Sequence, residues 1–461
     1  MNQSDLIAEL RKDANWNHWE TDNFEIFARR QLLLSGRSAC PVMGIDGRVN
    51  QEGVPVSSGF HGLPDVAWGK LCGHVQTLDK EHFSGVDFPN RRSRDRVPVV
   101  VWDAWFPYPA DDLAGGVSSK RADSLQAAEP QVFENDKSTT GGLADFFILA
   151  PIPTRYYWGN LRPEWLCGAV THEICHVWTS WSGPPKLATF ALKCAWKVAD
   201  EITAVWAESA WTNKGRSFLD YAAEWTMQSG VSLYGVEIPV EGKGSKRFSS
   251  KQAFGYYQWP FLCWVEERCP GLIKAWWRAA QAGGHVDPWR CLDAVIRGSN
   301  PAPNHTLSWW FGRYAGESFT SEFMERHLPV EDAQWYLKVV EEVFDLNQCP
   351  KPLRVPGRML PLSKRAFLLR NVAGSDRRWQ ARLETTLPGF GLHMVQEDGN
   401  GVRKAVLKSS DYDPPYVLEV PEAEFVIVVV YCSKLNGAAQ RVLGAETMVS
   451  ADPFTLVVDE V

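Results

Sequence analysis

The sequence has no CxxC pair, no apolar run long enough to cross a bilayer and no surplus of basic charge. Its 10 cysteines are scattered along 461 residues, which excludes a zinc-ribbon framework and a dense disulfide scaffold. Lys+Arg 48 against Asp+Glu 55 leaves a net charge of −7, so nothing supplies a basic face for a phosphate backbone, and nucleic acid is excluded as a partner. The longest apolar run, Phe425 to Cys432 (FVIVVVYC), is too short for a membrane span and is rich in β-branched residues, as a buried strand would be. The first residues, MNQSDLIAELRKD, carry no apolar core of a signal peptide. The expectation is a soluble protein with reduced thiols, cytoplasmic or exported without a classical signal peptide. Also missing are a fixed-period repeat, a low-complexity tract, a GxSxG elbow, a P-loop and a GxGxxG after a strand, which removes the common serine-hydrolase and nucleotide-binding chemistries.

What is present is an ordinary globular balance, 45% hydrophobic and 22% charged, with 22 tryptophans. Tryptophan supplies large buried area with one N–H to satisfy, so most of these are expected in a core. Along the chain, residues 1–20 read as a short helix, NFEIFA (23–28), VPVVVW (97–102) and ADFFILA (144–150) as strands, and 35–95 as long connections. Segments 163–182, 187–211, 216–229, 251–268, 270–282, 286–297 and 331–346 carry apolar residues at helical spacing. After Cys349-Pro350-Lys351-Pro352, short alternating runs (FLLRNV, RLETTL, LHMVQE, KAVLKS, YVLEV, FVIVVVY, TLVVDE) predict an all-β module over 355–461, most simply a sandwich.

The segment with chemistry in it is Thr171-His172-Glu173-Ile174-Cys175-His176-Val177-Trp178, an HExxH motif. It sits inside EWLCGAVTHEICHVWTSW, where Leu166, Val170, Ile174, Val177 and Trp181 recur at helical spacing, so His172 and His176 fall one turn apart on one face. Two imidazoles so placed can hold one Zn²⁺ at about 2.0–2.1 Å. Glu173 then lies beside the open coordination position, where a carboxylate can take a proton from a water that the metal has acidified. A third ligand is needed, and HVWTSWSGPPK offers no further histidine. The next helical segment carries Asp200-Glu201-Ile202-Thr203-Ala204-Val205-Trp206-Ala207-Glu208. Glu201 follows His176 after 24 residues, enough for a turn and a returning helix. Glu208, Asp220 and Glu224 are the competing carboxylates. Cys167 and Cys175 read as small buried hydrophobes.

The pair HEICH and DEITAVW resembles the gluzincin metallopeptidases, in which HExxH is followed by a helix that supplies a glutamate ligand. This sequence has Ile202 where that helix usually carries glycine, and it lacks the Trp-Leu ahead of it. FGYYQWPFLCWVEERCPG (254–271) is similar to the helix that follows the ligand glutamate in many members. The resemblance implies Zn²⁺ held by His172, His176 and Glu201, and Glu173 as general base. It also implies a phenol, Tyr256 or Tyr257, donating to the developing oxyanion; His285 and His305 are further candidates for that role. It implies a peptide or protein substrate lying along ADFFILA as an edge strand.

The expected architecture is α+β. A zincin-like catalytic domain spans 1–350, strand-rich over 1–155 and helical over 160–348, and an all-β sandwich domain follows at 355–461, its partner unknown. Trp178, Trp181, Trp206, Trp211 and Trp225 are expected near the site as an aromatic cleft. The expected function is zinc-dependent peptide hydrolysis. The alternatives are a binding protein for carbohydrate or protein on a retired catalytic fold, and a delivered effector or toxin peptidase.

Overall fold

The computed structural model describes residues 3–14, 16–30, 32–33, 60–61, 63, 65–103, 131–134, 146–152, 163–184, 190–212, 232–234, 258–282, 287–299, 306–327, 340–370, 378–385, 387–398, 400–408, 416–420, 425–435 and 452–461. The chain is a mixture of helices and several sheets, as an α+β protein requires. Contacts divide it into two compact units, Met1–Ser182 with Ala207–Phe218, and Gly183–Trp206 with Leu219–Val461. The predicted helix over 216–229 lies outside the described residues.

The first unit begins with α1 (Gln3–Lys12), β1 (Trp16–Glu20) and β2 (Phe24–Arg29), then a short ladder of β3 (Leu32–Leu33) and β4 (Phe60–His61). Residues 16–20 were expected to continue a helix; instead they pair residue by residue with β2, from Trp16↔Arg29 to Glu20↔Glu25. Cross-strand pairing overrides the weak local propensity there. A second departure is α2 (Asp65–Leu78), in a stretch expected to be irregular. Ala67, Leu71 and Val75 bury themselves at steps of four, but Gly69 and Gly73 dilute the pattern that would have announced them. Its last residues continue into a π-turn, Asp79–Phe83. The Asp79 carboxylate is buried there and accepts from the Asn23 N–H at 2.9 Å, which ties the turn to the start of β2.

β5 (Val97–Asp103), β6 (Gln131–Glu134) and β7 (Phe146–Ile152) complete a five-stranded sheet of order β1-β2-β5-β7-β6. β2, β5 and β7 run parallel, with β1 and β6 antiparallel at the flanks. Val97, Val99, Val100 and Val101 are all buried, because a parallel strand is covered on both faces and reads as continuous valine. α3 (Pro163–Ser182) starts with proline at its first position, where no N–H is needed. It packs on α2, β6 and β7, and every residue from Leu166 to Thr179 is buried.

α4 (Phe190–Ala210) begins in the second unit and delivers its last turn to the first. The second unit continues with α5 (Trp259–Arg268), α6 (Leu272–Ala282), α7 (Pro288–Ser299), α8 (Leu307–Glu317) and α9 (Ser321–His327). Tryptophans fill its helical core. Trp196, Trp276, Trp277 and Trp289 pack in a chain of tilted ring contacts 5.3–6.1 Å apart, and the Trp276 and Trp277 N–H groups donate to the Pro288 carbonyl and the Thr203 hydroxyl.

The remaining strands are β8 (Glu342–Asp345), β9 (Leu353–Met359), β10 (Ser363–Arg370), β11 (Trp379–Glu384), β12 (Phe390–Glu397), β13 (Arg403–Lys408), β14 (Tyr416–Val420), β15 (Phe425–Cys432) and β16 (Asp452–Glu460). They form a five-stranded sheet, β13-β12-β15-β10-β8, and a four-stranded one, β14-β11-β16-β9, which share one apolar cluster. Residues 342–345, expected to end a helix, are a strand because they pair in parallel with Phe367–Arg370 of β10. β15 sends Val426, Val428, Val430 and Cys432 into the shared cluster, and its other face is buried too. α8 is one of the elements that lie there. Gly312 and Gly316 leave room for the Tyr431 and His393 rings, and His393 Nε2 donates to the Gly312 carbonyl at 2.7 Å.

A methyl at Gly316 would come within 2.7 Å of the His393 ring, so Gly316→Ala should lower stability by about 1–3 kcal/mol despite alanine's helix preference, read as a lower urea midpoint. At α7, Asp287 Oδ1 accepts from the Trp289 and Arg290 N–H groups, while burial pushes the carboxyl up to about 6. Its unfolded value is near 3.9. A carboxyl raised on folding stabilises fully below its unfolded pKa and loses that contribution as pH rises through the folded one. The melting temperature of the wild type should therefore fall relative to Asp287→Asn between pH 4 and pH 6, and the gap should be constant above.

Candidate metal centre

α3 carries His172 and His176 one turn apart, with ring centroids 4.8 Å apart and planes at 79°. Pro163 opens the helix, and two hydroxyls that bond back along it brace the turns around the motif. Thr171 Oγ1 donates to the Cys167 carbonyl at 2.7 Å and Thr179 Oγ1 to the His176 carbonyl at 3.0 Å. With its hydrogen spent there, Thr171 Oγ1 accepts from His74 Nε2 of α2 at 2.6 Å. Burial pushes the His74 imidazole down to about 4, so at neutral pH it is the uncharged donor.

α4 supplies two carboxylates. Glu201 and Glu208 are seven residues apart, two turns on one face of a continuous helix. Glu208 is fully buried and its Oε1 lies 2.6 Å from His172 Nδ1. Nδ1–H donates to that carboxylate, which leaves Nε2 as the electron-pair donor of His172. Each of His172, His176 and Glu201 offers one ligand atom, and these atoms lie within 4.8 Å of one another. The three are 2%, 8% and 6% exposed, and Glu173 beside them is 4% exposed. Two imidazoles and one carboxylate, buried and converging, are the donor set of a zinc centre that keeps a position open.

Of the four carboxylates weighed as third ligand, Glu201 joins the cluster and Glu208 orients His172. Asp220 and Glu224 lie outside the described residues, as do Tyr256, Tyr257, His285 and His305. Sequence reasoning missed the role of Glu208, although its seven-residue step from Glu201 was the available signal. It also missed His74, because α2 itself was not foreseen.

Two further expectations change. ADFFILA was expected at the sheet edge, but β7 is hydrogen-bonded to β5 on one side and, over Phe146–Leu149, to β6 on the other. β6 is the flanking strand, and α3 packs on it as well as on β7. Three of the tryptophans expected to line a cleft are core residues and a fourth, Trp211, is half-buried. Trp178, Trp181 and Trp206 are buried; Trp181 packs on Phe83, Phe88 and Phe146, and Trp178 lies edge-on to Trp211, which stacks on His82 at 4.0 Å. Trp225 lies outside the described residues. Burial pushes the Cys167 and Cys72 thiols up to about 12, which suits core packing and not nucleophilic attack.

No protein-family model matches the chain, and no curated protein matches it in sequence. Among solved structures, it is similar to the pre-peptidase C-terminal domain of collagenase from Bacillus anthracis, at 9% identity over 26% of this chain and 96% of that one, with a TM-score of 0.18. It is also similar to PliG of Aeromonas hydrophila, a periplasmic inhibitor of g-type lysozyme, at 13% identity over 26% and 96%, TM-score 0.19. PliG of Salmonella Typhimurium is a third, at 8% identity over 26% and 99%, TM-score 0.15.

Glu201→Ala should abolish stoichiometric zinc uptake. Glu208→Ala should retain it at saturation with affinity lowered about 10–100-fold, since only the orienting partner of His172 is lost. The metal-free Glu208→Ala protein should also lose about 1–3 kcal/mol of stability from the stranded Nδ1–H. Zinc titration of both variants checks this, and the reverse pattern would make Glu208 the ligand.

Proposed function

We propose that this protein is a zinc-dependent metallopeptidase of gluzincin type, a zincin-like catalytic domain followed by a β-sandwich. The observation that carries the reading is the convergence of His172, His176 and Glu201 at one buried point beside Glu173. His172 through Nε2, His176 and Glu201 would hold the ion. When bound, Zn²⁺ would supply Lewis-acid polarisation of a scissile carbonyl and acidification of a water.

The remaining work falls to the chain's own side chains. Glu173 takes the proton of the attacking water and returns it to the departing amine nitrogen, a role in which one carboxylate serves as base and then acid. Glu208 keeps the His172 ring in one tautomer and one orientation. Burial of the motif strengthens these charge interactions, because little water is present to screen them. An extended peptide would pair with β6, the antiparallel strand at the flank of the sheet, and main-chain hydrogen bonds there would hold it whatever its side chains. Tyr256 or Tyr257 would donate to the carbonyl oxygen as it gains charge. No helix among the described residues is long and apolar enough to cross a membrane.

Elemental analysis and a peptide-library cleavage assay test the proposal together. The wild type should carry one zinc at this centre and cleave peptides. Glu173→Gln should keep the metal and lose about 10²–10⁴-fold in kcat. A chain that takes up no zinc on His172, His176 and Glu201, or a Glu173→Gln variant as active as the wild type, would overturn the proposal.

A further inference from the structure

A different group of donor atoms sits on the β1–β2 ribbon of the first unit. His18 and Glu20 are two residues apart in β1, so their side chains leave the same face of the strand. Glu25 of β2 is the direct partner of Glu20 in the ladder. His18 Nε2 lies 2.8 Å from Glu25 Oε1 and 3.4 Å from Glu20 Oε1. One ligand atom from each of the three lies within 4.8 Å of the others. The imidazole lies flat on Phe27, with centroids 4.9 Å and planes 8° apart, which holds the ring at this angle.

Two arginines hold the carboxylates. Arg11 Nε and Nη2 donate to Glu25 Oε1 and Oε2 at 2.6 and 2.7 Å, and Arg96 Nη1 pairs with Glu20 Oε2 at 2.6 Å. Glu20 therefore engages arginine through one oxygen and turns the other toward His18. Glu25 is buried, whereas the side chains of His18 and Glu20 are 31% and 42% exposed, so the cluster opens to solvent on one side only.

We propose that His18, Glu20 and Glu25 form a divalent-metal site, for Zn²⁺ or another borderline ion that accepts one imidazole and two carboxylates. Donors bonded at about 2.0–2.2 Å to one ion stand about 3 Å apart in octahedral and about 3.5 Å apart in tetrahedral geometry. The 2.8 Å spacing from His18 Nε2 to Glu25 Oε1 is close to the octahedral edge, and the 3.4 Å spacing to Glu20 Oε1 comes to it with a shift of a few tenths of an ångström in the exposed Glu20 side chain. Arg11 and Arg96 act as outer partners that aim the carboxylates, as hydrogen-bonded outer shells do at metal sites. They also neutralise the carboxylates, so the ion is held more weakly than bare glutamates would hold it. Its effect is to clamp the flanking strand β1 to β2.

The test is Zn²⁺ titration by calorimetry into the metal-free full-length chain and into His18→Gln, Glu20→Gln and Glu201→Gln. His18 and Glu20 are exposed enough that their variants should keep the wild-type circular dichroism. The wild type should take up two equivalents, His18→Gln and Glu20→Gln one each, and His18→Gln combined with Glu201→Gln none. If the centre containing Glu201 fails but this site stands, the wild type takes up one equivalent, which His18→Gln abolishes and Glu201→Gln leaves intact. Equal uptake by the wild type, His18→Gln and Glu20→Gln overturns the site and leaves a histidine–carboxylate hydrogen bond flanked by ion pairs.

Discussion

Burying His172, Glu173, His176, Glu201 and Glu208 sets the chief constraint on how α3 and α4 present their polar faces. Taken out of water alone, a carboxylate costs several kcal/mol, and the cost is offset only if partners with good geometry surround it. Spacing provides those partners. One turn separates the imidazoles of α3 and two turns separate the carboxylates of α4, so each helix presents two groups on a single face. The bond between His172 and Glu208 then decides which imidazole nitrogen is left to act as a base. Burial keeps the local dielectric low, which strengthens each of these interactions and penalises any that is lost.

The same economy of covering both faces recurs in the apolar parts. α3 is buried on all sides from Leu166 to Thr179, β5 buries Val97, Val99, Val100 and Val101 on both of its faces, and β15 has apolar residues on both faces. Tryptophan makes this possible in the second unit, since Trp196, Trp276, Trp277 and Trp289 fill wide spaces while two of their N–H groups find carbonyl or hydroxyl acceptors. Glycine performs the opposite service on α8, where the absence of a side chain at Gly312 and Gly316 brings the helix against the Tyr431 and His393 rings.

The candidate ligand cluster was legible because two imidazoles at i and i+4 on a helix share one face, and Glu201 stood at a workable distance along the chain. The strands after residue 355 were legible for a similar reason: alternation with short turns has few other readings. Neighbours were not legible. ADFFILA announces a strand, but whether it lies at the edge depends on β6, which comes from a separate four-residue stretch. Trp16–Glu20 continues a helical-looking segment and becomes a strand only because β2 is there to pair with it. α2 escaped notice because Gly69 and Gly73, both on its exposed side, weaken the helix signal, and the half-buried His74, which bonds Thr171, is polar beside its buried residues. Tryptophans near the motif suggested a ligand platform, yet core packing is the commoner use of that side chain and holds for Trp178, Trp181 and Trp206.

The path of α4 has a consequence for biosynthesis. Its first residues belong to one compact unit and its last turn to the other, so neither unit is a continuous stretch of chain. As the protein leaves the ribosome, the α3 histidines emerge well before Glu208, which satisfies His172, and until then the motif helix must remain hydrated or be shielded by other factors. Completion of the first unit waits on residues up to Phe218, well past the end of α3. Splitting the gene anywhere between the two helices would separate an imidazole from the carboxylate that sets its tautomer.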